Sequence, residues 1–303
     1  MTFPARSLAL LLLTTSLHAL RAEEDLAGPP VTTCKAWAVA DGRTGQLLAS
    51  HHADEPLKSA STTKAMCAHV ILELARKDPA VLDEMVTISK LADDTPGSTA
   101  EVKAGEKVSV RDGLYGMLLP SGNDMGNAFA EHFNARLEPP GKDVPSSILK
   151  PEYRTRSHFI AEMNRTAARL GMTHTIYRQS FGDGGTDADR TTTAADLLKL
   201  GHAAMQNPLF REIVKTQHHT GKIRLPNGKE RSLEWKNSNK LLALGSYDGI
   251  KTGMTNSAGY CLLARGEQNG VQLMVAVLGG VTEETRNADV RNLFRWQWAL
   301  KSK

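Results

Sequence analysis

The chain has 303 residues, near the upper limit for one hydrophobic core, so one large domain or two closely packed lobes is expected rather than independent modules. Apolar residues make up 41% and charged residues 23%, which excludes general disorder. The formal charge of +4 falls to +2 once Arg6 and Arg21 are set aside, and no basic stripe remains to bind nucleic acid.

The N-terminus reads as a secretory signal over residues 1–22. Arg6 supplies the positive region, residues 8–13 are continuously apolar, and Ala19 and Ala22 are the small residues a signal peptidase needs. The thirteen residues from Leu8 to Leu20 are too few for the roughly 20 that span a bilayer core. Cleavage after Ala22 is expected, giving an exported chain, periplasmic or extracellular, with no transmembrane helix in its mature part. Residues 23–33 are acidic, then proline-containing, and read as a short leader into a domain over 34–303.

Two apolar runs, 34–40 and 46–51, flank Asp41-Gly42-Arg43-Thr44-Gly45 and predict a hairpin. A helix is predicted from about Ser61 to Ala75, where Met66, Val70, Ile71 and Leu74 recur at spacings of three and four. Further helices are predicted over 111–118, 124–133, 157–170 and 193–205, the last with Thr193 as N-cap and Asp196 in its first turn. Residues 137–151, with four prolines, and residues 178–191, rich in Gly and Asp, read as loops. Strands are predicted over 216–225 and 229–235 around Pro226-Asn227-Gly228, then over 247–254, 258–265 and 271–279, before a final helix over 283–300. Strands at both ends with helices between them predict an α+β fold. An antiparallel sheet is flanked by helices, an all-helical lobe over roughly 62–210 is inserted into it, and the site lies in the cleft between the lobes.

Three short motifs carry chemistry. Ser61-Thr62-Thr63-Lys64 places an amine one helical turn from a hydroxyl. Serine is a poor nucleophile until a base takes its proton, and a helix N-terminus offers N–H groups to a developing oxyanion. Ser121-Gly122-Asn123 can present a hydroxyl and a carboxamide from a turn. Lys251-Thr252-Gly253 puts a cation and a hydroxyl in an apolar strand, beside a glycine that lets another chain approach. Each motif alone is commonplace.

Together, 60 and 130 residues apart, they resemble the trio of the penicillin-binding proteins and serine β-lactamases. The surrounding words are similar to the D-alanyl-D-alanine carboxypeptidases: residues 118–124, Met163-Asn164, Leu170-Gly171-Met172, residues 248–255 and residues 258–262. The resemblance implies a serine acyl-transfer enzyme acting on peptidoglycan stem peptides that end in D-Ala-D-Ala, inhibited by β-lactams, without metal or cofactor. It implies Ser61 as nucleophile, Lys64 as base, Ser121 as proton relay and Asn123 as holder of the substrate amide. Lys251 and Thr252 would bind the terminal carboxylate, with Gly253 beside them, and the backbone N–H groups of Ser61 and Met254 would form the oxyanion hole. Met254 stands where many relatives have histidine, which implies altered substrate preference. Many relatives also carry a further β-rich domain and an amphipathic anchor after the last helix, whereas this sequence ends at Lys303, so only loose membrane association is expected.

Transpeptidase, endopeptidase and β-lactamase activities remain open at this point, as does a non-catalytic peptidoglycan-binding or penicillin-sensing module. Glu162 reads as solvated rather than as a water-activating acid. His51, His52, His218 and His219 read as surface residues without metal-binding spacing, and Gly182-Asp183-Gly184-Gly185 as a loop. Trp235, Phe294, Trp296 and Trp298 read as packing residues, and Cys34, Cys67 and Cys261, an odd set, as buried thiols.

Overall fold

The computed structural model of the chain describes residues 28–142, 144–182 and 192–301. The expected signal segment, the start of the leader and the Gly/Asp-rich stretch 183–191, with Asp183, Gly184 and Gly185, lie outside the described residues.

The order begins with a hairpin, β1 (Ala36–Asp41) and β2 (Leu47–His51), followed by helix α1 (Thr63–Lys77). Next come β3 (Met85–Thr87), the single turn α2 (Lys90–Asp93), β4 (Lys107–Ser109), α3 (Val110–Leu118) and α4 (Asn123–Asn134). Helices α5 (Ser157–Arg169), α6 (Ala194–Ala204) and α7 (Pro208–Lys215) lead to the hairpin β5 (His218–Arg224) and β6 (Glu230–Lys236). The chain closes with β7 (Tyr247–Thr255), β8 (Gly259–Gln268), β9 (Val271–Gly280) and α8 (Glu283–Lys301).

The strands form two antiparallel sheets, β2-β1-β9-β8-β7 and β3-β4-β5-β6. The first is buried on both faces, and the period-two pattern of its central strands shows how. Trp37, Val39, Leu262, Ala264, Leu273, Val275 and Val277 pack with Val290, Leu293, Phe294 and Trp298 of α8. The alternate residues Ala38, Ala40, Leu263, Met274, Ala276 and Leu278 join the core made with the helices of the other lobe. Alanines dominate that second face on β1, and Gly201 of α6 fits against the Leu263 side chain, where a Cβ would come within 3.2 Å. Small residues let the helix seat closely on the sheet.

The second sheet differs from the expected arrangement. The hairpin β5–β6 does not extend the main sheet; β5 pairs with β4, which in turn pairs with β3, and both are three-residue strands within the region read as all-helical. Its one fully buried indole, Trp235, donates from Nε1 to Ala100 O at 2.9 Å, tying the small sheet to the segment before α3. Helix α7 was also not expected; Asn207 caps it by accepting from the N–H groups of Leu209 and Phe210, and Pro208 occupies the first helical position. The Thr193 cap of α6 is as expected, with Oγ1 accepting from Asp196 N at 3.1 Å. At the end of the leader, Thr33 donates from both N and Oγ1 to Asp289 of α8, at 2.9 and 2.8 Å.

Candidate active site

Ser61 lies in a 3₁₀ turn, Ala60–Thr62, that runs directly into α1. Because Lys64 follows by one turn, its amine folds back: Nζ donates to Ser61 Oγ at 2.8 Å, Asn123 Oδ1 at 2.6 Å and Phe181 O at 2.7 Å. Lys64 is wholly buried. A neutral amine carries two N–H bonds and one lone pair, and the two carbonyl-type oxygens can only accept. At 2.8 Å the same contact lets the lone pair of a neutral Lys64 amine accept the Ser61 hydroxyl proton.

Asn123 reaches this amine because it opens α4 after a turn with two constraints. Gly122 leaves no room for a side chain, since a Cβ would lie 2.6 Å from Asp124 Oδ1 and 2.8 Å from Ala100 N. The buried Asp124 carboxylate accepts from Ala100 N at 2.9 Å and Thr99 Oγ1 at 2.7 Å, fixing the start of α4 against residues 95–100. The Asn123 amide is held on its other side as well, with Nδ2 donating to Pro96 O at 2.7 Å. Ser121 sits in the same turn at φ +72°, an uncommon conformation for a residue with a side chain. Its Oγ is buried and has no hydrogen-bond partner among the described residues, so of the expected catalytic trio this hydroxyl stays outside the Lys64 network.

Strand β7 is the edge of the main sheet, and it brings Lys251 to Met254 against the Ser61 turn. A Cβ on Gly253 would come within 3.0 Å of both Ser61 N and Ala60 Cβ. Thr252 Oγ1 shares a hydrogen bond with Ser238 Oγ at 2.7 Å, and Ser238 N donates to Leu119 O at 3.0 Å. Thus the first and second motifs meet through Lys64 and Asn123, the second and third through Ser238, and the third and first at Gly253.

Lys251 is buried with Nζ 3.1 Å from Thr252 O. Burial, reinforced by the Arg286 guanidinium, lowers its pKa to about 7. Arg286 itself is buried, and burial lowers its pKa from the usual arginine range; it stands in the first turn of α8 and donates to Cys261 O at 3.4 Å. Lys251 in its protonated form, with Arg286 nearby and paired to Glu283 at 3.6 Å, makes this end of the site receptive to an anion.

A cleft of about 990 Å³ opens over these groups. Ser61, Asn123, Met254 and Thr255 line it directly, while Lys64, Ser121, Lys251 and Thr252 are buried residues behind its lining. The Met254 side chain is half exposed, so what this residue offers the interior is its backbone.

Sequence reasoning missed Arg286, Ser238 and the carbonyl of Phe181. None lies in a recognisable motif; the only signal was an arginine at the start of an otherwise amphipathic helix. Two weaker readings need correction. Glu162 is not solvated but half-buried, ion-paired with Arg165 at 2.7 Å and Arg169 at 2.6 Å, and it does not line the cleft. His219 is not a simple surface residue: it stacks on Tyr115 with ring centroids 3.7 Å apart and bonds Asp112 Oδ1 at 2.8 Å. The three cysteines are buried and free, and the aromatic residues pack as expected, with Trp296 edge-on to Trp37. Among the described residues no cluster of His, Cys, Asp or Glu has the makings of a metal site, and no helix is long and apolar enough to cross a membrane.

The family described as D-alanyl-D-alanine carboxypeptidase matches residues 23–137 and 155–282. A D-alanyl-D-alanine carboxypeptidase of Streptomyces sp. (strain K15) is 32% identical over 90% of this chain and 89% of its own length. D-alanyl-D-alanine carboxypeptidase DacC of Escherichia coli (strain K12) is 33% identical over 92% of this chain, which spans 64% of that longer protein. The crystal structure of the Streptomyces K15 DD-transpeptidase superposes with a TM-score of 0.78 at 30% identity, covering 90% of this chain and 99% of that one. The chain belongs to the D-alanyl-D-alanine carboxypeptidase family of serine peptidases.

Proposed function

We propose that the protein is a serine-type D-Ala-D-Ala carboxypeptidase acting on peptidoglycan stem peptides through an acyl-enzyme on Ser61. The carrying observation is the buried Lys64 amine, 2.8 Å from the Ser61 hydroxyl and also hydrogen-bonded to Asn123 Oδ1 and Phe181 O. In acylation Ser61 Oγ bonds to the carbonyl carbon of the penultimate D-Ala and the C–N bond to the last residue breaks. The hydroxyl proton passes to Lys64 and then, through Ser121, to the leaving amine. Water then attacks the ester and returns a proton to Ser61. The relay role of Ser121 is supported by its buried hydroxyl, which has no partner among the described residues and is open to one brought by the substrate. Asn123 retains an N–H of Nδ2 for the substrate amide, and the N–H groups of Ser61 and Met254 receive the oxyanion. Lys251, Thr252 and Arg286 attract the terminal carboxylate, and the exposed edge of β7 accepts the peptide as an added strand.

β-Lactams fit the same reading as inhibitors, because they join a reactive amide to a carboxylate at similar spacing. Peptidoglycan lies outside the cytoplasmic membrane, and the export signal read in residues 1–22 is consistent with action there. Transfer to an amine instead of water uses the same acyl-enzyme, and the similar Streptomyces structure bears the transpeptidase name. The test is release of D-Ala from a Lys-D-Ala-D-Ala peptide by wild type but not by Ser61→Ala, with and without an added acceptor amine. Release by both proteins would refute the role given to Ser61.

A further inference from the structure

We infer that Arg156 is an anchor for a free carboxylate on the acyl side of the peptide, one or two residues before the acyl D-Ala; this rests on the peptidase reading above. Arg156 immediately precedes α5 and lines the same cleft as Ser61. Its Nη1 donates to Asn127 Oδ1 at 3.0 Å, its Nη2 to Glu152 O at 2.9 Å, and its guanidinium lies 5.1 Å from the Tyr153 ring centroid. Both acceptors are neutral oxygens, and among the described residues Nε is buried without a partner and no carboxylate lies within ion-pair distance. Among the described residues the other charged side chains of the cleft wall, Lys90 and Asp94, neutralise each other as an ion pair. A guanidinium has five N–H donors, so further donors remain on the two Nη atoms. A cation that has no carboxylate partner among the described residues and stands in a cleft selects an anion.

Its position follows from α4. Asn127 is one turn beyond Asn123 on the same face, about 6 Å along the helix. Asn123 holds Lys64 and Asn127 holds Arg156, so the guanidinium stands roughly one turn from the reacting centre. An extended peptide rises about 3.3 Å per residue, which matches one or two residues. The leaving D-Ala runs toward Lys251 and Thr252, so Arg156 faces the acyl side. Asn127 is itself fixed, with Nδ2 donating to Thr95 Oγ1 at 2.7 Å and Oδ1 also accepting from Ser180 Oγ at 3.3 Å.

Two carboxylates have the right chemistry: one on the side chain of the residue directly before the acyl D-Ala, and one on the α-carbon of a γ-linked glutamate one residue earlier. The experiment measures kcat/KM for D-Ala release from peptides bearing each carboxylate and from their carboxamide counterparts. Penicillin adduct formation counts the active molecules in every preparation. Wild type is expected to prefer one carboxylate peptide over its carboxamide by about tenfold or more. That ratio should fall toward one in Arg156→Gln and recover in part in Arg156→Lys. The arm showing the preference identifies which carboxylate is read. Equal rates for both pairs in wild type, or a preference that survives Arg156→Gln, overturns the assignment of Arg156 and leaves the peptidase reading intact. Absence of D-Ala release from every peptide together with absence of the penicillin adduct overturns the peptidase reading and the subsite with it.

Discussion

Gly253 and Ser61 are in contact across the join of two distant segments, with space for no side chain between them: a Cβ at 253 would lie 3.0 Å from Ser61 N and 3.1 Å from Ser59 O. Both are backbone atoms of the turn that presents the nucleophile, so neither moves without moving the Ser61 hydroxyl. Gly253→Ala is expected to keep the fold and to lower the penicillin acylation rate by about 10²-fold, the cost of a displacement on the order of 1 Å at a reacting centre. Gly253→Val should lower it further. Acylation followed by stopped-flow or mass spectrometry checks the order; a Gly253→Val variant as fast as wild type would exclude close apposition of the two segments.

The Lys64–Asn123 contact gives a pH-dependent outcome. Asn123→Asp replaces a neutral acceptor, 2.6 Å from the amine, with an anion that favours the ammonium form of Lys64. The acidic limb of the kcat/KM profile should move to higher pH by about 1–3 units. Asn123→Ala removes the acceptor without adding charge and should reduce the rate with no comparable upward shift. Identical profiles in the two variants would contradict the role of Lys64 as base.

Lys251 links function to stability. Its folded-state pKa of about 7 lies below the ordinary lysine value of 10.5. As pH falls from 10.5 toward 7 the unfolded chain takes up a proton that the folded chain does not, so stability falls across that window and levels off below it. Lys251→Met should therefore raise Tm at pH 7, at about 2–4 °C per kcal/mol for a domain of this size, with the gain shrinking toward pH 10.5. The same substitution should cut peptide turnover by about 10²-fold or more through loss of the carboxylate partner. In wild type, KM for a peptide with a free terminal carboxylate should rise as pH passes about 7, and a terminal amide should lack that rise. Calorimetry across pH 6–10 and paired kinetics measure both.

Ser121 separates chemistry from folding. Its buried hydroxyl has no partner among the described residues, so Ser121→Ala removes an unsatisfied group and should leave Tm unchanged or slightly higher. Turnover should fall by about 10²–10⁴-fold, the range for loss of a proton-transfer group. A Ser121→Ala enzyme of normal rate would remove the residue from the relay.

The site was legible in the sequence wherever chemistry needs particular residue types at a fixed local spacing. Ser61 and Lys64 meet because a helical turn separates them, and the hairpins and the Thr193 cap followed from turn and capping residues. Strands β3 and β4 were not legible, since three residues carry no periodicity, and without them β5 and β6 had no reason to leave the main sheet. The start of α7 carries a local signal, Asn207-Pro208, but its eight residues are too short for a clear apolar period. Arg286, Ser238 and Arg156 act through contacts over long sequence separations, so only the fold identifies them. The pairing of Glu162 with Arg165 and Arg169 was visible as helical spacing, and it explains why an acid in that position is structural.

The most direct test is to map the covalent adduct formed with benzylpenicillin, by proteolysis and mass spectrometry of wild type, Ser61→Ala and Lys64→Ala. A stoichiometric adduct on the peptide containing Ser61 in wild type, none in Ser61→Ala, and strongly slowed formation in Lys64→Ala is the expected result. An adduct on another residue, or full-rate labelling without Ser61, would contradict the assignment.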